Sequence, residues 1–456
     1  MLKKYSLTFW IIFWVVSVLL LTAWFFFLEY KHRNFRTLDY AAAVAPVSQE
    51  TKDDLHTLIA LAEYVLKTDG EERTFLILFQ NNMEIRAGGG FIGSFGILKV
   101  RDGQVMDFQF HDTINFDGRV PQTVPAPYPM EETLKIHSLQ LRDSNISPDF
   151  PENAKQAEYF YHLGQGQEQF DGVVAITANV LPSFLRVTGP VEVPGYPGTY
   201  KADNAILQLE EQVERNFNEQ GIERGDRKSV MHALGEEILK RVKDLSVKQK
   251  MRLFEVGLED LKRKDVQLFF KDESLQQRVV AAGWDSSVDT HWNKDYLMTV
   301  DENLSALKSD LYVKRSIDYT VDFSGETPRA KLAVTYQHTA TEKSWLTRDY
   351  QTYLRVYVPK NSWLRDVSGN TLPPRFGDEL GKKYFGALVQ VPLGTSKTVT
   401  FEYDLPKNIT VENYDLKIQK QAGINDVPVK VHVVRKGGAT TDKEFVMNHD
   451  WTLGTE

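Results

Sequence analysis

Cysteine is absent from all 456 residues. Its absence excludes disulfides, thiolate zinc sites, iron–sulfur clusters, a cysteine nucleophile and a lipidated cysteine. Histidine is sparse, ten in the chain, and no His-x-His or His-Glu-x-x-His pair sets two of them together, so a histidine zinc site lacks support. Positive charge is in deficit: 54 Lys+Arg face 62 Asp+Glu for a net charge of −8, which leaves no electrostatic footprint for nucleic acid. No Gly-x-Ser-x-Gly elbow and no Gly-x-x-x-x-Gly-Lys-[Ser/Thr] loop occurs, so serine hydrolases and P-loop NTPases are unsupported as well. What is present is ordinary for folded protein: 42% hydrophobic and 25% charged residues exclude a disordered or collagen-like chain. At roughly 100–200 residues per domain, the length predicts two or three folded units.

Long hydrophobic runs are confined to one place. Leu7 to Leu28 is 22 residues without a charge, long enough at about 1.5 Å per residue to cross a hydrocarbon core of about 30 Å. Trp10 and Trp14 toward one end, and Trp24 with Tyr30 toward the other, suit the interfacial aromatic belts. A cleaved signal peptide has a shorter apolar core with its cleavage site directly after it; Ala43-Val44-Ala45 lies well beyond the run and precedes Pro46. The pattern predicts an uncleaved transmembrane helix. Lys3 and Lys4 before it are balanced by Lys31, Arg33 and Arg36 after it, so flanking charge does not set the orientation. A short tail is easily retained while a long domain translocates, and residues 1–6 are expected inside the cell with the bulk of the chain extracytoplasmic. That places the protein in the cell membrane as a single-pass protein.

Beyond a stalk and helix at 29–69, residues 70–305 read as an α/β (α+β) layer domain. Leu55, Leu58, Ile59, Ala62, Val65 and Leu66 form a helical stripe. Phe75–Phe79 is a continuous apolar run, the pattern of a strand buried on both faces. Ser94–Val100 and Val105–Phe110 read as strands joined by the turn Arg101-Asp102-Gly103-Gln104, and Gly172–Ile176 as another buried strand. Four prolines make 118–130 a loop, residues 153–163 suit a helix, and a helical insertion is expected at about 202–283. From 310 to 435 the texture changes to seven short strands separated by turns, which predicts an immunoglobulin-like antiparallel β-sandwich. The polar stretch 436–456 is expected to be a flexible tail.

The densest chemical candidate is Gln80-Asn81-Asn82-Met83-Glu84-Ile85-Arg86 with Gly88-Gly89-Gly90-Phe91-Ile92-Gly93. A dinucleotide fingerprint must open a helix directly after a strand; here eight residues follow Phe79 before the glycines, and a strand comes next. Two readings stay open: a tight backbone turn, or a glycine-lined loop at which Asn81, Gly89 and Gly90 approach an anion and Arg86 contacts it. The plainer role for Arg86 is an ion pair with Glu84. Asp112, in His111-Asp112-Thr113 at a strand end, Asp143, in Arg142-Asp143-Ser144-Asn145, and Asp149 could hold a hard cation such as Mg²⁺ through oxygen. Asp143 and Asp149 equally suit turns and helix caps. The Arg224–Arg227–Lys228 cluster opening a helix reads as a solvated face, and gains meaning only if it points into the same crevice as Arg86.

These residues carry a resemblance. Phe75-Leu-Ile-Leu-Phe-Gln-Asn-Asn through Gly89-Gly90-Phe91-Ile92-Gly93-Ser94, Leu141-Arg-Asp-Ser-Asn with Ser147-Pro-Asp-Phe-Pro151, Asp171-Gly172-Val173, Arg186-Val-Thr-Gly-Pro190 and Tyr353-Leu-Arg-Val-Tyr-Val-Pro359 resemble bacterial domain-of-unknown-function family 4012. Gly88 and Ile146 stand where that pattern has Thr and Trp. The resemblance implies a bacterial envelope protein on one N-terminal anchor and supplies no activity. More distantly, the order of strands, charged strand ends and helices is similar to that of the LytR–CpsA–Psr cell-wall phosphotransferases. His111-Asp112-Thr113 falls at their Arg-Asp-Thr and the 224–228 cluster at their later arginines. That likeness implies their fold for the α/β domain, with Arg86, Arg142 and Arg227 on phosphate and Asp112 and Asp143 on Mg²⁺, moving glycopolymer from a polyprenyl-pyrophosphate carrier. Two functions are therefore expected: binding of a surface polymer, lipid carrier or protein partner, or that transfer reaction, with Arg86, Asp112 and Asp143 as its catalytic candidates.

Overall fold

The computed structural model describes residues 35–44 and 46–454. The span expected at 7–28 lies outside the described residues, and no helix among those described is long and apolar enough to cross a membrane. Among the described residues, eight α-helices of seven residues or more follow in chain order: α1 (Phe35–Val44), α2 (Gln49–Leu66), α3 (Phe150–Leu163), α4 (Val180–Thr188), α5 (Ala205–Glu211), α6 (Ser229–Asp244), α7 (Val247–Lys262) and α8 (Glu273–Ala281). Their starts are where the sequence puts oxygen-bearing side chains. Ser48 Oγ accepts from Thr51 N–H at 3.2 Å at the head of α2, and Asp149 Oδ1 from Glu152 N–H at 3.2 Å at the head of α3, each satisfying a donor the helix cannot.

The apolar run Phe75–Phe79 lies in β1 (Glu72–Asn81), the centre of a five-stranded sheet. β1 pairs antiparallel with β2 (Phe91–Arg101) and parallel with β4 (Gly172–Thr177); β3 (Gln104–Asp112) flanks β2, and β7 (Val266–Phe270) flanks β4 antiparallel. The order is β3-β2-β1-β4-β7. Phe75, Ile77 and Phe79 pack toward α2, α4 and α6 in one core, while Leu76 and Leu78 face α3 in a second. Cover on both faces is why the strand needs no polar alternation. Asp102 and Gly103, at φ 52° and 72°, close the β2–β3 hairpin, as the Asp-Gly pair predicts. A small ribbon, β5 (Val191–Glu192) with β6 (Thr199–Tyr200), stands apart.

The insertion expected to be helical at about 202–283 holds a strand, β7. Five residues between two helices are too short to reveal a period, and Gln267 interrupts the apolar run although it is buried.

The C-terminal half is built from two six-stranded sheets. Its strands are β8 (Asp295–Asn303), β9 (Val313–Asp322), β10 (Arg329–His338), β11 (Tyr350–Val358), β12 (Trp363–Ser368), β13 (Arg375–Glu379), β14 (Lys382–Val391), β15 (Ser396–Asp404), β16 (Leu416–Ile418), β17 (Val427–Val434), β18 (Thr440–Met447) and β19 (Trp451–Leu453). One sheet runs β12-β15-β10-β9-β17-β18 and the other β13-β14-β11-β8-β16-β19. Tyr319, Tyr336, Leu354, Val356 and Phe401 fill the space between them.

Three sequence expectations change here. Twelve strands replace seven, and β9–β17 and β8–β16 pair in parallel within a mainly antiparallel layout. β8, assigned by sequence to the 70–305 unit, belongs to the second body. The tail from 436 contributes β18 and β19 instead of lying loose. β12, β13 and β18 are edge strands whose outer positions meet water, so their polar composition hides them from a search for apolar alternation.

The two halves lock together at the glycine-rich loop. Gln421 Nε2 donates to the Arg86 carbonyl at 3.1 Å and to the Asp301 carbonyl at 2.8 Å. A Cβ on Gly423 would stand 1.9 Å from the Gly89 carbonyl oxygen.

Candidate functional site

The glycine-rich loop takes the tight-turn form. Gly90 sits at φ 155°, and a Cβ there would lie 2.6 Å from the Asn81 backbone; Gly89 sits at φ 129°, with Gln80 Oε1 2.1 Å from its Cβ position. The Gly88 and Gly89 amides donate to the Asn145 and Arg86 carbonyls at 2.9 and 3.0 Å, so they already have partners. Arg86 is 2% exposed. It donates to Glu84 Oε1 at 2.9 Å and to the Asn303 carbonyl at 2.9 Å. Burial opposes its charge, but Glu84, Glu302 and Asp143 together outweigh that and raise its pKa.

The candidate metal ligands lie in separate networks. Asp112 Oδ1 caps the Ile114 amide at 2.9 Å, and its Oδ2 pairs with Lys228 Nζ at 3.0 Å. Asp143 is buried and accepts from the Gln140 amide at 3.2 Å; burial raises its pKa, opposed by Arg86 and Arg142. Arg142 Nε stands 3.3 Å from Asp117 Oδ2 and 4.0 Å from Asp143 Oδ2. Asp117 is pushed up to about 6 by burial. His111 stacks on Phe95 at 4.8 Å, and burial lowers its pKa. Among the described residues no group of three or more His or acidic side chains could hold a metal ion.

A cleft opens instead at the carboxyl ends of the parallel neighbours β1 and β4, with a volume of about 360 Å³. Ligand crevices in layered α/β sheets lie at such strand ends, and this volume falls within the usual range for ligand pockets. Phe79 and Ile176 carry the apolar rows of the sheet into it. Leu181 of α4, Ile206 and Leu209 of α5, Val213 and Met231 build one wall, and Phe91 and Ile114 the other. Charged side chains line it as well: Arg224, Arg227, Lys228 and Lys308 with Glu84, Glu210 and Glu214. Arg227 pairs with Glu214 at 2.8 Å and Lys308 with Glu210 at 3.4 Å. Asn81 Nδ2 donates to Glu210 Oε1 at 2.7 Å. Lys228 also donates to the Gly93 carbonyl, and to Ser94 Oγ at 3.2 Å. Burial lowers its pKa, against the pull of Asp112. Burial raises that of Glu210, against Lys308.

Of the residues singled out by sequence, Asn81 and the whole Arg224–Arg227–Lys228 cluster line this cleft, with Gln80, Glu84, Phe91 and Gly93 of the glycine-rich segment. Asp112 reaches it only through Lys228, and Arg86 only through Glu84 and through Phe91, whose ring its guanidinium covers at 5.6 Å. Gly89, Gly90, Arg142 and Asp143 do not line it. Lys308, Glu210 and Glu214 escape sequence reasoning because they come from a turn and a helix remote in the chain, and each reads alone as an ordinary solvated charge.

Fold and cleft together define a mixed α/β sheet unit with a strand-end pocket, joined to a β-rich second body. Residues 70–213 match the model of a family described as "Protein of unknown function (DUF4012)", a span running from β1 through the cleft wall at Val213. No curated protein matches the chain. Among solved structures, a Streptococcus agalactiae protein is 10% identical with a TM-score of 0.30, over 48% of this chain and 75% of that one. A Listeria innocua protein is 11% identical with a TM-score of 0.24, over 50% and 86%. A putative nutrient binding protein from Legionella pneumophila is 9% identical with a TM-score of 0.20, over 30% and 54%. Likenesses this remote carry no argument about function.

Proposed function

We propose that this is a membrane-anchored, extracytoplasmic protein of the bacterial envelope that binds an amphipathic lipid carrier with an anionic head in the strand-end cleft. The supporting observation is a cleft lining that joins apolar side chains to four cations and three carboxylates. Apolar walls favour a hydrocarbon chain by removing its surface from water, and the one-charge excess of cations on the lining favours a phosphate ester. Lys228 spends its three donors on Asp112, Gly93 and Ser94, and Arg224, exposed on the lining, is the cation placed to meet that head. The uncharged run at 7–28 would hold the cleft near the membrane surface where such lipids reside. A phosphoryl-transfer reading draws less support, since Asp112 and Asp143 each serve a separate cap, and the likeness to the LytR–CpsA–Psr enzymes rests on sequence order alone.

The test compares binding of a polyprenyl monophosphate with that of the corresponding polyprenol by full-length protein in detergent. The phosphate is expected to bind about tenfold tighter, roughly 1.4 kcal/mol, and Arg224→Ala to remove most of the difference. Equal binding of the two lipids, with no polyprenyl phosphate in extracts of protein purified from membranes, would sink the reading.

A further inference from the structure

One cation on the lining of the strand-end cleft already faces an anion of the chain itself. Lys308, on the turn that precedes β9 in the second body, has its Nζ 3.4 Å from Glu210 Oε2, and Glu210 Oε1 accepts from Asn81 Nδ2 at 2.7 Å. All three side chains line the cleft. The Lys308 and Glu210 side chains are 16% and 17% exposed, so both stay within reach of a molecule that enters it. The pairing is loose. A hydrogen bond between an ammonium and a carboxylate closes to about 2.7–2.9 Å, and this is the one ion pair of Lys308 among the described residues. Burial raises the pKa of Glu210 in spite of Lys308, which means that its surroundings favour the neutral carboxyl over the charged one.

The helix that carries Glu210 is lightly held as well. α5 buries only Ala205 of its seven residues. Its Ile206 and Leu209 line the cleft, and a π-helical turn at Gln212–Asn216 follows it. Segments with few buried apolar contacts open at the least cost, and π turns occur frequently at functional sites. Glu210 can therefore withdraw without breaking a core. A phosphate monoester offers Lys308 the same kind of anionic oxygen with more charge, about −1.5 to −2 at pH 7. We propose that Glu210 is a built-in counter-anion that masks Lys308, and that the anionic head of a ligand displaces it. This mask presupposes an anionic ligand in the cleft and so rests on the function proposed above.

Farnesyl monophosphate and farnesol, titrated into the full-length protein in detergent, separate the head from the chain. Glu210→Gln keeps the shape and an acceptor for Asn81 while removing the competing charge. It is expected to bind the phosphate about fivefold tighter than the native protein, the scale of one partly exposed charge, with farnesol unchanged. A purely structural Glu210 predicts weaker binding instead. The gain is expected to vanish when Glu210→Gln is made in a Lys308→Ala background, which isolates the pair. Thermal unfolding shows which variants fold; Glu210→Asp, whose shorter side chain draws the charge back from Lys308, should shift binding in the same direction if the Gln variant does not. A variant that binds the phosphate no tighter than the native protein, or a gain that survives Lys308→Ala, overturns the proposal. A native protein indifferent to the phosphate, beside a Glu210→Gln variant that prefers it, would fail the earlier test and still uphold the mask.

Discussion

Asp295 is 0% exposed, and the Tyr319 and Tyr414 hydroxyls both donate to its Oδ2 at 2.8 Å. Burial pushes its carboxyl up from 3.8 to about 7, although both tyrosines favour the charged form. A raised carboxyl pKa means that the folded protein holds a proton which the unfolded chain releases between about pH 4 and 7. The associated stability is therefore fully present below pH 4 and is lost as pH rises through 7. Asp295→Asn keeps the shape and removes the titration. Urea unfolding at pH 5 and pH 8 should show the native protein losing about 2–3 kcal/mol between them and the variant markedly less; equal losses would count against this assignment. The same scale shows what single residues reveal in sequence. The Glu84–Arg86 ion pair is readable because its partners are two residues apart. Lys228–Asp112 is not, because the fold alone brings those residues together.

At the scale of elements, β18 pairs with the whole of β17, from Val427↔Met447 to Val434↔Thr440. Met447 is 4% exposed, and Phe445 stacks on Trp451 of β19 at 4.2 Å. Ending the chain at Arg435 would expose β17 as a new sheet edge. Burial of a large apolar side chain contributes about 1.5–3 kcal/mol, so the shortened protein should lose about 3 kcal/mol or more in urea unfolding. It should also scatter more light, because an uncovered edge recruits other chains. An unchanged unfolding midpoint would restore the tail to a passive role. The elements readable from sequence, β1, β4 and α2, bury whole faces or whole lengths and so carry an unmixed hydrophobic period. β7 and β18 are short or exposed on one side, and their period is lost in their neighbours.

For the molecule as a whole, the glycine-rich loop joins the sheet unit to the sandwich. Gly423, at φ 75°, packs directly on Gly89. Gly423→Ala would combine a left-handed backbone strain of about 1–2 kcal/mol with an overpacking cost of about 1–3 kcal/mol. A loss of about 2–5 kcal/mol is expected. Calorimetry should show one transition in the native protein and a broadened or divided one in the variant. Two separate transitions in the native protein would show that the contact does not couple the halves.

The 42% hydrophobic content and the absent cysteines were enough to establish a folded chain with no thiol chemistry. The local runs were enough to place β1, the β2–β3 hairpin and α3, because those features depend on neighbours within a few residues. The strand-end cleft could not be read in the same way. Its walls come from residues 79 to 308, and which cations face it depends on how α5 and α6 pack over the sheet. The glycines that drew attention as an anion loop became a joint between two bodies for the same reason: Gly423, more than three hundred residues downstream, occupies the space against which Gly89 is packed.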